Sequence, residues 1–480
     1  MIRDKLNLDT IINKYHKALL GSILLLSFFL NTSYVSWGLP GYWHPDEAIE
    51  KSMDMFNHWT LNPNFFDYPN LHFYLLLFTV LAPLFAVERI VGFLNKYPSV
   101  SNLVPDFRFT NPISLVITNH ITLIYVISRV LSAIMGVATV LLVYLIAKKI
   151  FNKNVGLLSA AFLAITAGFV NLAHFSTVDI PLTFWCTLSF FLLLLAYEKG
   201  TPFMYALAGL SVGLTASTKY TGILMSLPLI VAFVVETGKK PRENFWNYAL
   251  NKNLFIIIST VLIGFFIGTP YALINFRVFL GTFIEVLFFQ SSYAGIGQLG
   301  FIPHINNLLN IYGLFGAVSS LLGFCYLVYL LFIHKNPKLL FIIIAIAIIY
   351  ISMGRMMFFP VRYIMPLVPL LTICGGKLIY DLQKSSTSKL KNVAFVILVT
   401  LSLVYTGAYT LSGIMQMKND DRNLALNWIL ENASETAYIE GSPYGINIPE
   451  EYNNFIHDVK LPFASARKPA ARNQRPPYIR

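Results

Sequence analysis

The chain has 480 residues, of which 56% are hydrophobic, 15% aromatic and only 12% charged, with a formal net charge of +12 and a mean hydropathy of +0.62. An apolar share so far above that of a soluble globular domain excludes a water-soluble enzyme and points to an all-α polytopic membrane protein. The positive charge does not indicate a nucleic-acid partner, because Lys and Arg fall in small groups at the ends of apolar runs, as expected of cytoplasmic loops.

A basic stretch (Arg3, Lys5, Lys14, Lys17) precedes the first apolar run, residues 18–37. That run continues into Asn31-Thr32-Ser33-Tyr34 without a small-residue cleavage site, so it reads as a retained span and not as a signal peptide. Ten further runs long enough to cross about 30 Å of hydrocarbon lie near 120–147, 155–172, 178–197, 203–218, 220–236, 253–274, 306–333, 338–353, 363–381 and 391–411. Residues 71–94 form a further candidate, interrupted by Pro83 and carrying Glu88 and Arg89 near its end. If this segment does not cross and the N-terminus is cytoplasmic, the inside loops collect Lys148, Lys149, Lys153, Lys199, Lys239, Lys240, Arg242, Lys252, Lys335, Lys338, Lys377, Lys384, Lys389 and Lys391, and the outside connections keep far fewer. Crossing would reverse that bias. The charge pattern therefore predicts about eleven transmembrane helices.

The same pattern predicts a long external first loop, 38–119, in which 71–94 lies in or dips into the outer interface, and a second external loop at 271–305. A transmembrane domain of residues 1–417 would be followed by a short extracytoplasmic segment, 418–480. In that segment Leu424, Leu426, Trp428, Ile429 and Leu430 suggest one amphipathic helix, and the basic, Pro-rich end from Arg467 onward reads as disordered. No repeat of the transporter kind is evident. Cys186, Cys325 and Cys374 lie inside apolar runs and imply neither disulfides nor a zinc site.

In a chain so poor in charge, the acidic pair Asp46-Glu47, directly after Gly41-Tyr42-Trp43-His44-Pro45, is costly beside a membrane segment and calls for a function. Pro45 with two acids behind it predicts a helix start. Asp46, Glu50 and Asp54 would then share one face, with Glu47 and Lys51 paired alongside. Glu50, Lys51 and Asp54 read as a solvated face, whereas Asp46 and Glu47 read as catalytic, a carboxylate there serving as general base toward an acceptor hydroxyl or amine. The predicted topology brings cations to the same outer face: Arg129, Lys219 in Ser217-Thr218-Lys219-Tyr220-Thr221-Gly222, and Arg355 and Arg362 in the stretch from Gly354 to Tyr363. Such cations suit a phosphate, bidentate for Arg and as a point charge for Lys. Headgroup snorkelling is the plainer role for Arg355; the loop of Lys219 is too short to serve solvation alone. Asp179 stands at the tip of a tight hairpin, where capping of the next span and a place in the site are both compatible. His44, Asp67, Tyr68 and Tyr363 complete the candidates. His44, His72, His174 and His304 show no paired metal spacing, so no cofactor is called for and a divalent cation is left open.

The segments His44-Pro45-Asp46-Glu47, Asp67-Tyr68-Pro69-Asn70-Leu71, Ser176-Thr177-Val178-Asp179-Ile180-Pro181-Leu182, Gly209-Leu210 through Thr218-Lys219-Tyr220-Thr221-Gly222, and Arg362-Tyr363-Ile364-Met365-Pro366-Leu367 occur in the order seen in GT-C membrane glycosyltransferases. Over residues 18–411 the chain resembles most the branch holding protein O-mannosyltransferases and the aminoarabinose lipid A transferase. The resemblance implies transfer of a sugar from a polyprenyl-phosphate carrier to a glycan, lipid or protein acceptor at the outer face of the cell membrane, usually with inversion. It implies Asp46 as general base with Glu47 beside it, Lys219 and Arg362 on the carrier phosphate, and 71–94 as the interfacial helix region. Asn70 stands where the family often has the second proline of an Asp-Tyr-Pro-Pro-Leu type motif, and the tail is short beside the soluble domains of some relatives. The rival class is a transporter or lipid flippase, which should carry ionisable residues at mid-membrane or broken helices in matching halves. Charges gathered at one face favour surface chemistry. A family member that has lost catalysis and serves as a binding or assembly subunit is a third reading.

Overall fold

Long apolar runs in a bilayer must satisfy every backbone N–H and C=O within the segment, which helices do. A computed structural model describes residues 8–39, 44, 46–94, 113–239, 250–292, 299–385 and 389–432, and every regular element among them is helical. In chain order these are α1 (Leu8–Thr32), α2 (Ile49–Asn57), α3 (Leu71–Leu76), α4 (Ala82–Leu94), α5 (Ile113–Ile150), α6 (Lys153–Ala164), α7 (Ala167–Ala173), α8 (Asp179–Lys199), α9 (Pro202–Thr218), α10 (Ser226–Thr237), α11 (Lys252–Gly268), α12 (Tyr271–Ile274), α13 (Phe276–Ser292), α14 (Phe301–His334), α15 (Pro337–Gly354), α16 (Val368–Ser385), α17 (Lys389–Lys418) and α18 (Asp421–Asn432). A π turn, Leu77–Leu81, joins α3 to α4, and the 3-10 segments Tyr220–Met225 and Val361–Leu367 lead into α10 and α16.

The chain divides into two compact units, Met1–Ser36 with Asp46–Met417, and Trp37–Pro45 with Lys418–Arg480. In the larger unit α5 packs against α6 and α8, α16 against α14 and α6, and α9 against α8 and α11. The contact between α9 and α11 rests on glycine: a Cβ at Gly213 would overlap the Val261 carbonyl and come 2.8 Å from the Gly264 Cα. Small residues at a helix crossing let backbones approach where lipid offers no hydrophobic drive. In the smaller unit the Trp37 indole N–H donates to Asp420 at 3.1 Å, and Arg422 donates to the same carboxylate at 2.9 and 2.7 Å while lying over the Trp37 ring. These partners, Arg422 first, hold the Asp420 carboxyl below its ordinary range. The tail forms a helix, α18, but not the amphipathic one expected: its apolar residues do not gather on one face, and Leu424 and Trp428 are exposed.

Three further expectations change. Among the described residues seven helices are long and apolar enough to cross a membrane, or eight if Lys153–Ala164 and Ala167–Ala173 count as one span bent by 62°. The count of eleven is thus not confirmed among the described residues, where α9 and α11, at 17 residues each, are short. Leu71–Ile90, expected to lie in the interface, is among the seven by length and composition. Its Glu88 is buried and meets His120 at 3.1 Å, so the acid does not interrupt the run. The third change concerns the helix expected from Pro45, a residue outside those described: α2 begins at Ile49, leaving Asp46 and Glu47 in the turn before it. Only Glu50 and Asp54 of the three predicted carboxylates lie on that helix, and Lys51 sits over the Phe65 ring and not beside Glu47.

Charges collect at the helix ends. Asp179 opens α8 and Glu198 lies near its close, about 28 Å away at 1.5 Å per residue. Glu198 receives Lys149 and Lys338, the latter at 2.6 Å, which the positive-inside pattern placed on one side. The opposite end of α8 carries the candidate site.

Candidate active site

Three ion pairs hold six of the candidate residues. The innermost joins Glu47 to Arg129 of α5: Nε and Nη2 each donate to a separate carboxylate oxygen at 2.8 Å, and both side chains are fully buried. Arg129 Nη1 donates to the Val35 carbonyl at 2.8 Å, and the Ser176 N–H donates to Glu47 at 2.9 Å. The Ala48 N–H in turn donates to the Ser176 carbonyl at 2.8 Å. These bonds explain why the helix starts late: Glu47 is held between α5 and the loop before α8. Glu47 and Arg129 are thus a buried pair that ties the acid turn to α5.

Of the other two pairs, one is part-exposed and one is buried. Arg362, at the start of Val361–Leu367, donates through Nη1 to Asp46 at 2.6 Å, with side chains 20% and 30% exposed. Lys219, the residue just after α9, donates to Asp179 at 3.1 Å. Its ammonium lies 4.6 Å from the Tyr363 ring centre and 5.7 Å from that of Tyr68, a bracket favourable to a cation. Asp179 is therefore a buried partner of Lys219 and not merely a helix cap. Burial pushes the Tyr68 hydroxyl well above its ordinary value, against the opposing pull of Arg362; Asp179, Tyr363 and Asp46 add to the rise. The hydroxyl stays a neutral donor.

Asp46, Tyr68, Asp179, Lys219, Arg362 and Tyr363 thus come together, although they span more than three hundred residues of sequence. Asp67 does not join them; burial and then the Glu285 charge raise its carboxyl above the ordinary value, with Lys51 opposing. Arg355 is exposed at the end of α15. His44 belongs to the smaller unit. Asn70 braces the turn before α3: its amide donates to the Phe65 and Tyr68 carbonyls at 3.0 and 3.3 Å, and its N–H to Thr269 at 3.2 Å. Among the described residues no three His, Cys, Asp or Glu side chains gather as a metal site.

Sequence reasoning missed two buried polar neighbours, one of Asp179 and one of Glu50. His72 is wholly buried within reach of the Asp179 charge, and Tyr125 donates to Glu50 at 3.0 Å. A lone His or Tyr in an apolar run carries no signal until its neighbours are known. Burial raises the Glu50 carboxyl above its ordinary 4.5, the Tyr125 bond opposing. A raised carboxyl favours the fold fully below the ordinary value and loses that contribution as pH climbs through the raised one. Glu50→Gln keeps an acceptor for Tyr125 and does not ionise. Its unfolding temperature relative to wild type should therefore rise from about pH 5 to about pH 8; a wild-type advantage that widens over that interval would refute the assignment.

Residues 116–263 match the family described as Dolichyl-phosphate-mannose-protein mannosyltransferase. An uncharacterized protein of Aquifex aeolicus (strain VF5) is 28% identical over 285 residues, covering 59% of this chain and 54% of the relative, so the chain spans about half the length of that relative. The Archaeoglobus fulgidus oligosaccharyltransferase in its apo form aligns with a TM-score of 0.54 at 15% identity over 88% of this chain and 58% of that one. ArnT from Cupriavidus metallidurans bound to undecaprenyl phosphate aligns with a TM-score of 0.53 at 14% identity over 92% and 85%.

Proposed function

We propose that this chain, an all-helical membrane protein with the GT-C glycosyltransferase fold, moves a sugar from a polyprenyl-phosphate carrier to an acceptor at the extracytoplasmic face of the cell membrane. The observation that carries the reading is the part-exposed pairing of Asp46 with Arg362 beside the buried Lys219–Asp179 pair, two carboxylates and two cations in one cluster rimmed by Tyr68 and Tyr363. In the proposed step an acceptor hydroxyl or amine gives its proton to Asp46 as its oxygen or nitrogen bonds to the anomeric carbon. The bond from that carbon to the phosphate oxygen breaks, its electron pair leaves with the phosphate, and the configuration inverts. Arg362 and Lys219 stabilise the charge on the departing phosphate, a task for preorganised cations in a site shielded from water. The Tyr68 hydroxyl is a further donor to it. Undecaprenyl phosphate bound by the ArnT structure fits this chemistry of carrier.

The test follows from the placing of Lys219. Lys219→Ala should raise KM for the lipid donor more than it lowers kcat and weaken binding of undecaprenyl phosphate by about tenfold, the scale of one lost charge-assisted contact. An unchanged KM would count against the phosphate site, and a wild-type protein that binds no polyprenyl phosphate would overturn it.

A further inference from the structure

A cavity of about 360 Å³ opens between α7, α14 and α17, and Arg362 forms part of its wall. Its volume lies within the roughly 300–1,000 Å³ of small-molecule sites. Asn171, Asn310, Gln416 and Ser412 line it, and no carboxylate or lysine does. Each amide offers both donor and acceptor, which matches vicinal hydroxyls on a sugar ring. An isoprenoid tail would leave those amides unmatched at a cost, and a multiply charged anion would find one cation. The next residue, Tyr363, turns elsewhere: it meets Lys219 and lines a narrow crevice with Leu182, Leu224 and Met353. Arg362 and Tyr363 thus divide a polar cavity from an apolar crevice at the ion-pair cluster.

We infer that the cavity is the acceptor subsite and that it takes the neutral, hydroxyl-rich sugar head of the acceptor; the inference rests on the glycosyl-transfer reading above. The carrier then enters by the crevice side, and the acceptor hydroxyl reaches Asp46 past Arg362.

Gly413 lines the cavity, Gly407 does not, and a Cβ at either meets nothing within 4 Å, so a side chain can leave the same helix at both positions into open space. The probe is octyl β-D-glucoside carrying a photoreactive diazirine, with the full chain in nanodiscs. Labelling should map to α7, α14 and α17 and fall by about tenfold in Gly413→Phe, while Gly407→Phe labels as wild type does and undecaprenyl phosphate affinity is kept in both. Asn171→Leu and Gln416→Leu should raise the acceptor KM with the donor KM unchanged. Labelling elsewhere, labelling unaffected by Gly413→Phe, or an equal loss of carrier affinity would overturn the inference. Cavity labelling by a wild type that moves no sugar from any polyprenyl-phosphate donor would instead overturn the transfer reading and leave a sugar-binding cavity standing.

Discussion

Glu47→Ala is expected to destabilise the fold by roughly 3–5 kcal/mol, the cost of leaving one member of a buried ion pair uncompensated. Arg129 would lose both bonds to Glu47 in a position with no access to water, and the Ser176 N–H would lose its acceptor. The expected result is a large drop in unfolding temperature and in monodisperse yield. Arg129→Met should behave alike, because it strands the carboxylate. Glu47→Leu combined with Arg129→Met should recover much of the loss, since an apolar pair of similar volume replaces a buried ion pair at little cost. Single and double variants compared by thermal unfolding in one detergent decide the matter. Glu47→Ala at wild-type stability would mean that the pair does not organise the acid turn.

Asp46→Asn is expected to lower sugar transfer by about 10²–10⁴-fold, the range a positioned general base contributes, with the fold intact. Asp46 differs from its neighbour in exposure: its side chain is 30% exposed and that of Glu47 is fully buried. The amide retains an oxygen for Arg362, so the cation keeps a partner and donor affinity should be held. Steady-state kinetics would show kcat falling with donor KM nearly constant. Full activity in Asp46→Asn would remove the base assignment and leave the phosphate site untouched.

Helix positions were legible because a bilayer leaves an apolar run few alternatives, and the ends were marked by Asn152, Thr201-Pro202, Gly200 and Asn336-Pro337. The fate of residues 71–94 was less legible. Charge counting sees Glu88 and Arg89 as free charges, while the fold buries Glu88 against His120. At the site, that Asp46, Lys219 and Arg362 would lie close together followed from sign and from position at one face. The partner of Arg129 did not, because sequence shows that a cation is present and not what it is paired with. The start of α2 was misplaced for a related reason: Pro45-Asp46-Glu47 favours a helix locally, and the long-range bonds to Arg129 and Ser176 override it. Asn171, Asn310 and Gln416 gave no signal, since polar residues near helix ends are ordinary until α7, α14 and α17 are brought together.

The most direct measurement reconstitutes the purified chain in vesicles with a radiolabelled polyprenyl-phosphate sugar and a mixture of glycolipid acceptors, and follows the label by chromatography. Free polyprenyl phosphate and a labelled acceptor of inverted anomeric configuration are expected in matching amounts. A carrier that keeps its sugar while the glycosylated lipid crosses the bilayer would contradict the transfer reading.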